Sequence, residues 1–315
     1  KSWCPCQTRS PARRAEDRKF IMSSDQPSVA FHIGAHKTAT SHLQRCLLNG
    51  SAALAAKGVH YYGPEYFRQP GHSINAIFGL RGGSEAKETA TQRLKELAQN
   101  GHRVVLSEEN FIGPLNDPRG QGLLQRYPDA GPKVAALAEA LGQEIDVFLA
   151  VRRPTDYLNS GYCQMLLGGN VRPFAAYRDA NPATSVDWPA VVAGLRAASG
   201  VGQVTVWRHE GYMQVFDQIA AGLVGQDAAP CVPQIPRKRN VGLSEAAVVR
   251  LHEEAPLADP KRGYEVRGAL PIADDMPRFD GFTTQEHAQS ANVYGDQMDR
   301  ITQMDGVTVL RPGTD

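Results

Sequence analysis

The 315-residue chain has no apolar run near the roughly 18 residues that span a bilayer, so no membrane span is expected. It has no surplus of either charge: 34 Lys and Arg face 33 Asp and Glu, for a formal net charge of +1. That balance gives no global footprint for nucleic acid or an acidic membrane surface. Cysteine is sparse, with five residues at positions 4, 6, 46, 163 and 231. An odd, scattered set predicts reduced thiols in a cytoplasmic protein, not a disulfide framework. Cys4 and Cys6 stand too close for the common zinc spacing and lack a second pair, so no metal site is expected.

Lys1 to Phe20 is rich in Arg, Ser and Pro and lacks periodicity. Residues 1–25 are expected to be a disordered tail or non-native extension, with Met22 as the natural start. The chain as a whole is 42% apolar and 21% charged, as in globular proteins. Compact apolar runs read as strands at Val59–Tyr62, Arg103–Leu106, Ile145–Val151, Val204–Trp207 and Val307–Leu310, beside the run that begins at Val29. Helical spacing marks Ala52–Lys57, Lys87–Gln99, Val134–Leu141, Tyr157–Leu167, Val191–Ala198, Met213–Leu223 and Ala246–Glu254, with Ser244 as a cap for the last and Gly225 ending the one before it. A Pro/Asp/Arg-rich loop is expected from Pro256 to Phe282, then a polar helix. Strands alternating with helices predict an α/β fold: three layers, α/β/α, around a mainly parallel sheet, as one domain over residues 26–315. Ligands in such sheets bind beyond the carboxyl ends of the strands.

Three segments put polar residues at such ends. In the first, the Val29 run ends at Gly34, and Ala35-His36-Lys37-Thr38-Ala39-Thr40-Ser41 leads into a helical segment through Leu43 and Leu47. Strand, hydroxyl-rich turn and helix N-terminus aim N–H groups at an anion, and Lys37 adds a charge. A triphosphate loop of the Gly-x-x-x-x-Gly-Lys-Ser/Thr type is excluded, because Ala39 holds the second glycine position and the lysine precedes it. An ordinary capped strand-to-helix turn is the plainer alternative. In the second, the Ile145–Val151 strand ends in Arg152-Arg153-Pro154, and Ser160 comes eight residues after Arg152, about two helical turns. Arginine offers a planar fork for phosphate. The third is Ser107-Glu108-Glu109-Asn110 after the Arg103–Leu106 strand. His32 and His36 straddle a strand end and a turn, which removes the geometric basis for a zinc pair.

The order Lys-Thr-x-Thr-Ser after a strand resembles the 5′-phosphosulfate loop of sulfotransferases that use 3′-phosphoadenosine 5′-phosphosulfate (PAPS), and Arg152 with Ser160 is similar to their 3′-phosphate segment. The resemblance, to bacterial and carbohydrate-sulfotransferase-like members, covers most of Val29 to Leu251. It implies a P-loop NTPase-like fold and transfer of a sulfuryl group from PAPS to a hydroxyl, less readily an amine, of a small-molecule or carbohydrate acceptor. Gly34, His36, Lys37, Thr38, Ala39, Thr40 and Ser41 would hold the phosphosulfate, with Lys37 neutralising charge in transfer. Arg152 and Ser160 would hold the 3′-phosphate, and Arg237 and Lys238 would belong to a basic loop closing over it. Glu109 would be the base, with Glu108 and His72 as alternatives; Tyr61, Tyr62, Tyr66 and Phe67 could line an acceptor site. The family usually has glycine where Ala39 stands; if that position is left-handed, alanine costs roughly 1 kcal/mol. A nucleotide kinase and a non-catalytic nucleotide binder are the rival expectations.

Overall fold

The computed structural model describes residues 26–80, 84–117, 119, 121–236, 242–256, 259 and 261–313. Six strands form one sheet: β1 (Ser28–His32), β2 (Val59–Tyr62), β3 (Arg103–Ser107), β4 (Ile145–Val151), β5 (Val201–Arg208) and β6 (Val307–Leu310). Their order is β2-β3-β1-β4-β5-β6, and every pairing is parallel. Twelve helices are described: α1 (Thr40–Ala56), α2 (Pro64–Phe67), α3 (Ile74–Ile77), α4 (Ser84–Ala98), α5 (Ala130–Leu141), α6 (Pro154–Leu167), α7 (Phe174–Ala180), α8 (Trp188–Arg196), α9 (Phe216–Val224), α10 (Glu245–Glu253), α11 (Arg262–Ala269) and α12 (Thr284–Thr302). The three-layer parallel architecture is the one the sequence predicts. None of the described helices is long and apolar enough to cross a membrane.

Period-two alternation divides the core between the sheet faces. Val29, Phe31, Val104, Leu106, Val147 and Leu149 pack on one side, under α4, α5, α6, α8 and α12. Ala30, Val105, Phe148, Ala150 and Trp207 pack on the other, under Leu43, Leu47 and Leu54 of α1 and Phe216, Ile219 and Leu223 of α9. The two helical pieces expected around Leu43 and Ala52 are one continuous helix through Gly50, where the nearby Cys231 carbonyl leaves no room for a Cβ. The expected loop from Pro256 to Phe282 contains α11, which buries only Gly263 and Val266 and so offers no apolar stripe to read. The expected tail with Met22, and the basic residues Arg237 and Lys238, lie outside the described residues.

Strand register sets up the crevice. β1 ends at His32, paired with Ser107 of β3 and Phe148 of β4. β4 continues to Val151 against β5. The overhang carries Arg152 past the end of β1, alongside the turn that starts at Ile33.

His32 fastens the carboxyl ends together. Its Nδ1 lies 2.8 Å from Ser107 Oγ, and its ring stacks on Trp207 at 5.9 Å. Burial lowers its pKa from 6.5 to about 4, against a smaller opposing pull from Glu109. Between those values the unfolded chain binds the extra proton, so stability falls as pH drops through that window, by roughly 3 kcal/mol from this group. Urea denaturation between pH 7 and 4.5 checks this: His32→Gln is expected to flatten the pH dependence, and parallel curves for both proteins would overturn it.

Candidate active site

The β1–α1 turn begins at Gly34, with φ +40°, where an added Cβ would meet Thr40 Oγ1 at 2.9 Å and His32 Nε2 at 3.1 Å. Glycine is required there by both conformation and space. Lys37 (φ +64°) and Ala39 (φ +70°) are left-handed without being glycine. Ala39 is the residue that caps α1, and it gives no side-chain cap. The Ala35 carbonyl accepts from Thr38 Oγ1 at 2.5 Å and from Thr40 Oγ1 at 3.3 Å, which holds the turn closed. The first N–H groups of α1, at Thr40 and Ser41, have no intrahelical partner by construction, and the helix dipole adds positive potential at that end.

Lys37 Nζ donates to Gln164 Oε1 at 3.2 Å. Burial first, then the Arg152 charge, lower the Lys37 pKa. A cation held in that state gains from an anion that relieves both penalties. Arg152 Nη1 donates to the Lys37 carbonyl at 2.8 Å, and the Arg152 carbonyl accepts from Trp188 Nε1 at 2.7 Å. The arginine thus joins the turn to the end of β4 and to the start of α8. Arg153 lies 3.6 Å from Asp156.

A cleft of about 870 Å³ opens over the turn, lined among others by His36, Lys37, Ala39, Thr40, Ser41, Glu109, Arg152 and Ser160. The structure thus brings together the Lys37 turn, the Arg152–Ser160 pair and Glu109. A neighbouring cleft of about 470 Å³ shares Arg152, Ser160, His209 and Arg278 with it. The two make a trough running from the turn to the start of α6. Thr38 is 2% exposed, committed to the turn, and absent from the lining. Cleft residues without a site expectation from the sequence include Arg45, Arg68, Asn110, Gln164, His209 and Arg278. Gln164 was findable, one helical turn beyond Ser160 on the same face. Arg68 and Arg278 sit in irregular segments, where no periodicity marks them.

Glu109 lies in the cleft with its charge already engaged. Gln44 Nε2 donates to Oε2 at 2.9 Å and Arg68 Nη2 to Oε1 at 2.8 Å. Burial pushes its pKa up, but those bonds and a backbone N–H outweigh it, so the carboxyl is held below its ordinary value. Burial alone would have moved this carboxyl toward neutrality, and its hydrogen bonds reverse that. Glu108 faces Arg68 bidentately, at 3.0 and 3.1 Å, and is 6% exposed. His72 is outside this cleft: it lines a separate one of about 540 Å³ with Tyr62 and Tyr66, because the turn at Gln69 leads it away from Arg68. Phe67 is core, and Tyr61 is 8% exposed. Neither therefore lines an acceptor surface. Among the described residues no three His, Cys, Asp or Glu side chains gather as a metal site.

Among the described residues, the charges lining the large cleft are Lys37, Arg45, Arg68, Arg152 and Arg278 against Glu109. Even with Arg68 committed to two carboxylates, the balance around the turn is strongly positive. Such a surface selects a multiply charged anion.

No family model matches the chain, and no curated protein matches it. Solved structures of related shape include a sulfotransferase from Alicyclobacillus acidocaldarius, 14% identical over 73% of this chain and 89% of that one, with a TM-score of 0.40. Retinol dehydratase in complex with androsterone and the inactive cofactor PAP is 14% identical over 91% and 83%, at 0.34. The PezAT toxin–antitoxin system of Streptococcus pneumoniae is 12% identical over 88% of each, at 0.28. Superpositions this loose establish neither family nor activity.

The left-handed turn is testable by itself. Ala39→Gly removes a Cβ penalty at φ +70° and is expected to raise stability by about 1 kcal/mol. The measurement is a higher denaturation midpoint at unchanged slope; a lower midpoint would contradict the conformation.

Proposed function

We propose that the protein is a PAPS-dependent sulfotransferase acting on a hydroxyl of a polar, small-molecule or carbohydrate acceptor. The observation that carries this is the gathering of Lys37, Arg45, Arg152 and Arg278 around the large cleft, with Arg152 bonded to the Lys37 carbonyl. A donor with phosphates at both its 3′ and 5′ positions suits that cationic cleft, whereas the neighbouring cleft also carries Asp156, Glu210 and Asp280. Bound there, PAPS would supply the sulfuryl group to be transferred.

The residues present fit it. The amides of Thr40 and Ser41 and the Lys37 ammonium would hold the 5′ end, where Lys37 would offset negative charge as it builds on the bridging oxygen. Arg152 and Ser160 would hold the 3′ end. Arg237 and Lys238 would add charge from the basic run. Glu109, ionised at neutral pH, would orient the acceptor hydroxyl by hydrogen bonding and take up its proton late, as the new O–S bond makes that proton acidic. Among the described residues no Phe, Tyr or Trp lines the large cleft; Glu109, Asn110, Gln164 and Arg68 are instead hydrogen-bonding groups suited to a polyol.

Titration calorimetry with 3′-phosphoadenosine 5′-phosphate (PAP), ADP and ATP tests the donor. Wild type is expected to prefer PAP over ADP by at least about tenfold, and Arg152→Ala to abolish that preference, the loss of a charge-assisted contact. Equal affinity of wild type for PAP and ADP would overturn the assignment. In a transfer assay with PAPS, Lys37→Ala is expected to slow turnover by roughly 100-fold or more; an unchanged rate would remove Lys37 from the chemistry.

A further inference from the structure

Tyr127 is 3% exposed and adopts φ +51°. For a bulky side chain that conformation costs about 1–3 kcal/mol and persists only where its surroundings enforce it. Here it places the phenol oxygen on the residue ahead of Lys37. That oxygen lies 3.1 Å from the His36 backbone nitrogen, 2.8 Å from His36 Nδ1 and 2.7 Å from the Tyr157 hydroxyl. The His36 ring also stacks on Tyr127, 5.9 Å between centres at 12°. Its Nε2 is 3.1 Å from Asn110 Oδ1, at the cleft wall.

Counting donors and acceptors orders this chain. A phenol oxygen has one proton and accepts two hydrogen bonds. The His36 backbone N–H can only donate, so it takes one acceptor position on Tyr127. Tyr157 is fully buried, and Tyr127 is the only hydrogen-bond partner of its hydroxyl among the described residues. An orphaned buried donor is costly, so Tyr157 donates to Tyr127 and takes the second position. The Tyr127 proton then goes to His36 Nδ1, which leaves the imidazole proton on Nε2, donating to Asn110 Oδ1. The buried Arg126 guanidinium, 5.7 Å over the Tyr157 ring, adds a fixed positive charge behind the chain.

We propose that Tyr127 is a positioning residue whose hydroxyl fixes the turn ahead of Lys37 and holds His36 as a neutral Nε2–H donor, ready to exchange Asn110 for an oxygen of the bound donor anion. Burial, the largest influence on His36, lowers its pKa and keeps the ring uncharged at neutral pH. The donor role rests on the sulfotransferase reading; the tautomer and its cause do not.

Long-range ¹H–¹⁵N spectra at pH 7.5 test the tautomer without nucleotide, with His36 signals identified by their absence in His36→Gln. Wild type is expected to show a single Nε2–H form, and Tyr127→Phe a substantial Nδ1–H fraction. An Nδ1–H wild type, or an unchanged Tyr127→Phe spectrum, would overturn the proposal. Should Tyr127→Phe fail to fold, Tyr157→Phe leaves His36 Nδ1 as the remaining acceptor for the buried Tyr127 proton, so the Nε2–H form must persist there, and a substantial Nδ1–H fraction counts equally against the idea. Tyr127→Phe should further weaken PAP binding roughly tenfold in calorimetry. If wild type binds no PAP, the functional assignment fails while the tautomer result stands.

Discussion

Arg152 donating to the Lys37 carbonyl holds the crevice together. A guanidinium spent partly on a neighbour's backbone keeps the turn from relaxing, while the same residue lines both clefts of the trough. The bond is possible because β4 outruns β1 in register, so a residue 115 positions later arrives beside the turn. Move the register by one residue and every side chain on β4 changes face.

Around that bond the protein concentrates unfavourable features. Lys37, Ala39 and Tyr127 are left-handed, Lys37 is partly desolvated, and Arg126 is buried at 1% exposure. Each left-handed residue costs on the order of 1–3 kcal/mol, comparable to what one buried core Leu or Phe contributes. Two apolar layers of strand and helix residues carry that load. Three of the five left-handed non-glycine residues described, Lys37, Ala39 and Tyr127, fall in this turn and the tyrosine that touches it, with Gln99 and Asn100 as a separate pair after α4.

Charge obeys the same logic. Arg68 gathers both Glu108 and Glu109, which removes a carboxylate pair from the anion path. Glu109 lines the cleft with both carboxylate oxygens hydrogen-bonded, which favours its ionised form. His72, equally plausible by composition, sits by Tyr66 in another cleft, since one turn of chain separates its direction from that of Arg68.

The local pieces were legible in the sequence. Gly34, the hydroxyl-rich turn and the Arg152–Ser160 spacing are encoded within a few residues, where hydropathy period and backbone preference act directly. Parallel order came from strand–helix alternation. Even the left-handed state of position 39 was foreseeable from the glycine usual there. What tertiary structure alone decided was which distant groups meet: Tyr127 on His36, Arg68 on two carboxylates, Arg278 in the trough. It also decided the direction in which Glu109 titrates. Periodicity reports which face a side chain takes, but ionisation, tautomer and strain depend on neighbours brought from far along the chain, and those are set by packing.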